Sequence, residues 1–289
     1  MHSAPLSTAQ VHQPEDPTKA SWGRDLLVIV LLFGLIMGLG LEAYPLGNPD
    51  EGRYAEIPRE MVATGDYVTP RLNGVNYFEK PPLVYWCVAA CYQAFGPHEW
   101  AMRLTPVCFA MFGVVFAYIT GRKLYGQAAG QASAAVLGTS LLYVALARIL
   151  LLDMAVAVLI SATLFFFILA MQEPPGQRRR WLFYGLYTCA ALATLTKGLI
   201  GFLLPGAVMF FWLVLCVQWK RLRPFYLPTG ALLFLAIAAP WHLLAASRNP
   251  TWAHFYFVRE HWERFTTTEH GRYEPIWFFI PIVLFGLFP

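Results

Sequence analysis

Two short stretches, Asn48-Pro49-Asp50-Glu51-Gly52-Arg53-Tyr54 and Tyr77-Phe78-Glu79-Lys80-Pro81-Pro82, gather charged side chains beside long apolar runs. Ionisable groups next to a bilayer are costly to keep unless they bind something. On a helix from Pro49 to about Thr64, Asp50, Arg53 and Tyr54 fall on one face at i, i+3 and i+4. Together with Lys80 they offer an acceptor carboxylate, cationic donors and an aromatic ring at one membrane surface. An ammonium such as that of Lys80 is a compact point charge suited to neutralising a phosphate. Tyr77 and Phe78 would line such a site for a sugar or an isoprenoid tail. The set points to chemistry on a charged substrate that the membrane delivers.

Each of these residues also has a plain structural reading. Asn48 suits an N-cap, Pro49 the first helical position, and Glu51 completes a capping box. Lys80 can snorkel to lipid phosphate. Further along, Asp153 closes the approach Ile149-Leu150-Leu151-Leu152, and Lys197 sits in the turn Thr196-Lys197-Gly198. Either residue could touch substrate. The structural alternatives are an ion pair of Asp153 with Arg148 and a helix-end anchor at Lys197. The stretch 254–274 holds His254, Arg259, Glu260, His261, Arg264, His270 and Arg272. Its charges balance and show no metal-ligand spacing. Most of it reads as a solvated amphipathic helix, with one or two residues available to close over the site.

The elements that must position these residues are membrane helices. Of 289 residues, 57% are hydrophobic and only 13% charged, where soluble domains carry about 25% charged residues. Mean hydropathy is +0.49. A net charge of +4 spread over short clusters carries no nucleic-acid signal, and no nucleic-acid partner is expected. The five cysteines, Cys87, Cys91, Cys108, Cys189 and Cys216, all lie in apolar segments and read as small hydrophobes. Residues 1–22 are polar and read as a cytoplasmic tail, with no cleavable signal.

Apolar runs near 26–45, 101–121, 127–147, 150–171, 181–196, 198–218 and 225–246 are expected to span the bilayer, and 275–289 to begin an eighth crossing. The whole of 23–289 is then one transmembrane domain. The basic clusters Arg122-Lys123, Arg178-Arg179-Arg180 and Lys220-Arg221-Arg223 belong on the cytoplasmic side. The loops 46–101 and 247–275 belong outside. The run 82–96 must then lie in the interface, because an odd number of crossings separates 46–80 from Arg122. By the same topology Asp50, Lys80, Asp153 and Lys197 share one face. A chain ending inside an apolar run reads as the front part of a longer protein.

The motif pair Asp50-Glu51-Gly52-Arg53-Tyr54-Ala55-Glu56-Ile57 and Tyr77-Phe78-Glu79-Lys80-Pro81-Pro82-Leu83, with Gly65-Asp66-Tyr67 between, resembles bacterial GT-C glycosyltransferases. The types it is similar to are the aminoarabinose transferases and the protein O-mannosyltransferases. The likeness continues through Ala147-Arg148, Asp153, Thr196-Lys197-Gly198, Pro240-Trp241 and Glu260-His261-x-x-Arg264-Phe265. It implies an all-α polytopic fold and an inverting enzyme of the inner membrane. Such an enzyme moves a sugar from a polyprenyl-phosphate donor to a periplasmic acceptor: a lipid A-like lipid, a protein or a glycan. The resemblance makes Asp50 the catalytic carboxylate and Lys80 the donor-phosphate ligand, with Tyr77 and Arg264 in support. Glu51, Arg53, Tyr54, Asp153 and Lys197 become candidate substrate contacts. Glu79 and His261 resemble a metal pair, so a divalent cation stays open as a cofactor, and no nucleotide cofactor is expected. Rival readings are a transporter or flippase, for which one-sided charges are a poor match, and an inactive truncated paralogue.

Overall fold

The computed structural model describes residues 17–217, 219–263, 275 and 277–288. Twelve α-helices, one π-helix and one minimal hairpin make up the described elements. They run α1 (Pro17–Gly38), α2 (Asp50–Thr64), β1 (Arg71–Leu72), β2 (Val75–Asn76), α3 (Leu83–Phe95) and α4 (Glu99–Tyr125). Then come α5 (Gln127–Thr139), α6 (Leu141–Arg148), α7 (Leu152–Gln172), α8 (Gln177–Lys197), α9 (Ile200–Leu215) and α10 (Trp219–Leu222). Helix α11 (Leu227–Arg248), a π-helix (His254–Glu263) and α12 (Phe279–Gly286) complete the order.

Among the described residues four helices are long and apolar enough to cross a membrane: α1 from Ser21, α4, α7 and α11. A fifth arises if α5 and α6 count as one span, although they meet at a 62° bend. The run 127–147, expected as one span, is thus broken in two. The break falls at Ser140, whose extended backbone ends α5 and starts α6. The expected spans at 181–196 and 198–218 correspond to α8, which opens on three arginines, and α9, which has 16 residues. Helix α3 has 13 residues, too few for a crossing that needs about 20. Outward faces of α1, α9 and α11 expose Leu31, Leu35, Phe210, Phe211, Leu232 and Leu243. Such continuous apolar surface suits lipid rather than water.

The centre is α4 packed between α1, α5 and α7, with α8 on the far side of α7. Phe33 and Met37 of α1, with Leu41 just beyond its end, meet Ala110, Val114 and Tyr118 of α4 and Met154 and Val158 of α7. Two buried arginines pin α4 at its ends. Near the C-terminus, Arg122 donates to Asp25 Oδ2 at 2.9 Å and to Ser21 Oγ at 2.6 Å, and lies over the Trp22 ring at 4.2 Å. Residues 17–22, read as part of the tail, are already helical, held because Ser21, Trp22 and Asp25 bind Arg122. Near the N-terminus Arg103 makes the second knot, described below. The two arginines are about 28 Å apart at 1.5 Å rise per residue, close to a hydrocarbon core of about 30 Å. The loop that holds Asp50 and the basic pair Arg122-Lys123 therefore sit at opposite ends of α4.

Candidate active site

Helix α2 begins at Asp50, and Pro49 rather than Asn48 occupies the N-cap, with no side-chain cap bond. The capping expectation is corrected in its details. Glu51 does reach back, but to the Gly47 N–H at 2.8 Å. Its carboxylate also accepts the Leu150 N–H at 2.8 Å and a two-bond fork from Arg103, each arm 2.9 Å. Glu51, a candidate substrate contact by sequence, is 4% exposed and fully engaged by the protein. Burial would raise its carboxyl, but the bonds from Arg103, Leu150 and Gly47 and the Arg103 charge hold it below the usual glutamate range. Arg103 spends its remaining donors on the carbonyls of Leu41 at 2.6 Å, Tyr44 at 2.9 Å and Pro45 at 3.1 Å. The Arg103–Glu51 pair thus ties the exit of α1, the start of α2 and the approach to α7 together.

Asp50, the neighbour of this anchor, keeps its side chain 59% exposed and pairs with Arg53 at 3.3 Å. Arg53 Nη1 donates to the Tyr77 hydroxyl at 3.2 Å, and that hydroxyl donates to Glu79 at 2.8 Å. Lys80 Nζ donates to the Glu79 carbonyl at 2.8 Å. Side-chain contacts thus run from Asp50 through Arg53 and Tyr77 to Glu79, whose backbone carbonyl holds the Lys80 ammonium.

The hairpin explains why Tyr77 lands there. Asn73 and Gly74 both have positive φ, 54° and 77°, as a two-residue hairpin turn requires. Arg71 pairs with Asn76 and Leu72 with Val75. The Gly74 N–H then bonds the Glu60 carboxylate at 3.1 Å, which ties the turn to α2. The Tyr77 N–H bonds the Pro70 carbonyl at 2.8 Å, and the chain leaves the hairpin alongside Arg53.

Tyr54 stands beside this chain of bonds and stacks on Tyr85 with ring centroids 6.1 Å apart. Burial pushes the Tyr54 phenol up to about 12; Arg53 pulls it back, and Asp50, Asp153 and Glu79 add to the rise. Asp153 thus lies within electrostatic reach of the first cluster. Burial and the Glu79 carboxylate likewise push the Tyr77 phenol up, against the hydrogen bond from Arg53. Both rings stay neutral hydroxyls, and the single Tyr77 proton is given to Glu79.

The second charged pair is Asp153 with Lys197, in direct contact and both partly open, at 47% and 34% side-chain exposure. This corrects the structural alternative for Asp153, which was a pair with Arg148. Arg148 instead donates to the carbonyls of Ile36 and Met37, each at 3.2 Å, and of Gly40 at 3.3 Å, closing the end of α1. Because Leu150 bonds Glu51, this pair sits at the same end of the bundle as Asp50 and Lys80.

Glu260 was read as part of a solvated helix. It is buried, and its carboxylate lies 3.6 Å from Lys80 Nζ. The cause is the aromatic packing of Trp252 and Tyr256 against Trp241 and Phe78, which turns that face of the π-helix inward. Arg264 and the side chain of His261 lie outside the described residues. Among the described residues no three metal-ligating side chains converge, and Glu79 is engaged by Tyr77. Two features escaped the sequence, Arg103 and Tyr85, while Glu260 was named there only within a stretch from which one or two residues could close over the site. A lone arginine just inside an apolar run was the available signal for the first. Tyr85 is fully buried, and its hydroxyl has no hydrogen-bond partner among the described residues.

Comparison with known proteins adds a second line. Residues 79–243 match the family described as dolichyl-phosphate-mannose-protein mannosyltransferase. The chain is 33% identical over 266 residues to undecaprenyl phosphate-alpha-4-amino-4-deoxy-L-arabinose arabinosyl transferase 1 of Proteus mirabilis, covering 91% of this chain and 48% of that protein. It is 32% identical to the Pseudomonas fluorescens protein of the same name, at 91% and 48% coverage. The crystal structure of ArnT from Cupriavidus metallidurans bound to undecaprenyl phosphate superposes with a TM-score of 0.82 at 34% identity, covering 93% of this chain and 49% of that one. Its apo form gives 0.80 at 33% identity and the same coverage. The chain spans about half the length of the curated relatives it matches. The all-α, multi-pass membrane fold is that of these transferases.

Proposed function

Because the chain belongs to the dolichyl-phosphate-mannose-protein mannosyltransferase family, we propose that it works as a membrane glycosyltransferase using a polyprenyl-phosphate sugar. The sugar would be a pentose of the 4-amino-4-deoxy-arabinose class, as the names of the relatives suggest. The site would face the periplasm of the inner membrane, and the acceptor would be a lipid A-like lipid, a protein or a glycan. The observation that carries the reading is the run of contacts from Asp50 through Arg53, Tyr77 and Glu79 to Lys80. It sets an open carboxylate and a sheltered ammonium in one site, the pairing that a sugar transfer from a phosphate needs.

In the proposed reaction an acceptor oxygen attacks the anomeric carbon as the bond from that carbon to the carrier phosphate breaks. Asp50 orients the acceptor and takes its proton, where there is one. The bond electrons leave with the polyprenyl phosphate, whose growing negative charge Lys80 stabilises, with Tyr77 and Arg264 as further donors. A single displacement inverts the anomeric configuration. Asp153, Lys197, Tyr54 and Arg53 would hold the sugar and the acceptor. Glu79 could furnish one ligand to a divalent cation, and no step above depends on it.

The test is transfer from a polyprenyl-phosphate sugar by the intact protein in nanodiscs. Asp50→Asn should lose transfer while still binding the carrier, and Lys80→Gln should weaken carrier binding. Turnover at the parental rate in Asp50→Asn would overturn the assignment.

A further inference from the structure

Lys80 already faces an anion. Glu260 Oε2 stands 3.6 Å from its Nζ, with side-chain exposures of 6% and 14%. The separation is longer than a hydrogen bond, yet short for two charges where little water enters. Glu260 is delivered by a π-helix, a rare geometry that recurs at functional sites. That helix is docked from within, since Trp252 stacks on Tyr256 at 4.9 Å and both join Trp241 and Phe78 in one cluster. Phe78 lies two residues before Lys80, so the same packing fixes both partners of the pair. A buried lysine without a counter-charge would be costly, and the Glu260 carboxylate supplies one. A phosphate drawn to the same ammonium must then contend with the Glu260 charge, because like charges at one sheltered site repel.

We propose that Glu260 holds the anion position at Lys80 until a phosphate takes it, so that this carboxylate sets the affinity for the lipid-phosphate donor. The inference rests on the reading of Lys80 as the donor-phosphate ligand. Glu260 neutralises Lys80 when the site is empty and gives up the ammonium when the donor binds. The glutamate thereby weakens donor binding and leaves the lysine easier to vacate after transfer.

Undecaprenyl phosphate titrated into the intact protein in nanodiscs separates the possibilities. The comparison covers the parent, Glu260→Gln, Lys80→Gln and the double variant. Glu260→Gln should bind about tenfold tighter, equivalent to ~1.4 kcal/mol. The double variant should bind no tighter than Lys80→Gln, because the competition exists only through the ammonium. Unchanged or weaker binding by a folded Glu260→Gln would make the glutamate a support for Lys80 and overturn the proposal. Should that variant misfold, Glu260→Asp draws the carboxylate back by one methylene and should also tighten binding; no change there overturns it equally. A parent that does not bind undecaprenyl phosphate, or a Lys80→Gln variant that binds as the parent does, would instead remove the reading of Lys80 beneath it.

Discussion

Arg103 closes a two-bond fork on Glu51 across 52 residues of sequence, with no exposed surface on its own side chain. The other guanidinium donors end on three carbonyls of the segment that leaves α1. Asp50 precedes Glu51 directly, so the direction of the proposed catalytic carboxylate follows from a bond its neighbour makes. Arg103→Ala should cost about 3–5 kcal/mol, the usual penalty for stripping one partner from a buried pair. Arg103→Lys should recover only part of it, because an ammonium cannot make the planar fork. Thermal unfolding of the purified protein in nanodiscs measures both. A midpoint for Arg103→Ala within error of the parent would show that the knot does not hold this end of the bundle.

The same pair gives stability a pH dependence of definite sign. Glu51 has its carboxyl held below the ordinary value of 4.5 in the folded protein. A depressed carboxylate contributes stability that is complete above its unfolded pKa and is lost as pH falls through the folded one. Unfolding midpoints should therefore be flat from neutral pH down to about 5 and fall below about 4.5. In Glu51→Gln the protein should be less stable at neutral pH and should lose less on acidification. Parallel pH curves for the two proteins would exclude Glu51 as a source of the acid sensitivity.

Much of this site could be read from sequence, and the missing part has a physical reason. Asp50, Arg53 and Tyr54 fall at helical spacing, and helix α2 is set by that local pattern, so their shared face was legible. The turn signal Asn73-Gly74 was also legible, but an all-α reading passed over it, although it brings Tyr77 to Arg53. Arg103 and Glu260 owe their roles to partners 52 and 180 residues away in the chain, Glu51 and Lys80. No local pattern encodes such a pairing. The balanced charges of 254–274 suggested water, whereas aromatic packing at Trp252 and Tyr256 turns Glu260 inward.

Asp153 and Lys197 let structural and functional roles be told apart. The pair is partly exposed, and exposed ion pairs contribute only about 0–1 kcal/mol. Asp153→Asn and Lys197→Met should then leave the unfolding midpoint almost unchanged. If the two side chains touch substrate, each variant should lose transfer by about tenfold to a hundredfold, the scale of one or two charged hydrogen bonds. The charge-swapped Asp153→Lys with Lys197→Asp should regain the pairing but not the activity. Full activity in the swapped protein would reduce the pair to a structural tie.

Tyr85 makes a prediction of the opposite kind. Its hydroxyl is buried without a partner among the described residues, while its ring stacks on Tyr54 and packs with Ile57 and Met61. Burying an unsatisfied hydroxyl has a cost of about 1–3 kcal/mol. Tyr85→Phe keeps the ring and removes the orphan, so it should be neutral or stabilise by ~1 kcal/mol. A clear loss of stability would mean that the hydroxyl has found a partner.

Gly201 tests the support under Lys197. The α8–α9 hairpin turns at Gly198, with a left-handed φ of 86°, and α9 returns against α8 at Gly201. A Cβ at Gly201 would meet the Ala193 carbonyl carbon at 2.3 Å and the Thr194 nitrogen at 2.4 Å. Those are backbone atoms, so no side chain can swing aside. Helix pairs in a membrane gain their cohesion from such close approach at small residues. Gly201→Ala must push α9 off α8 and disturb the end that carries Lys197, at an overpacking cost of about 1–3 kcal/mol. Gly206→Ala on the same helix meets nothing within 4 Å and should be stable by comparison. The pair of variants separates packing from helix propensity, which favours alanine at both places. Thermal midpoints should fall for Gly201→Ala and hold or rise for Gly206→Ala; equal behaviour would mean that the hairpin does not pack at this distance.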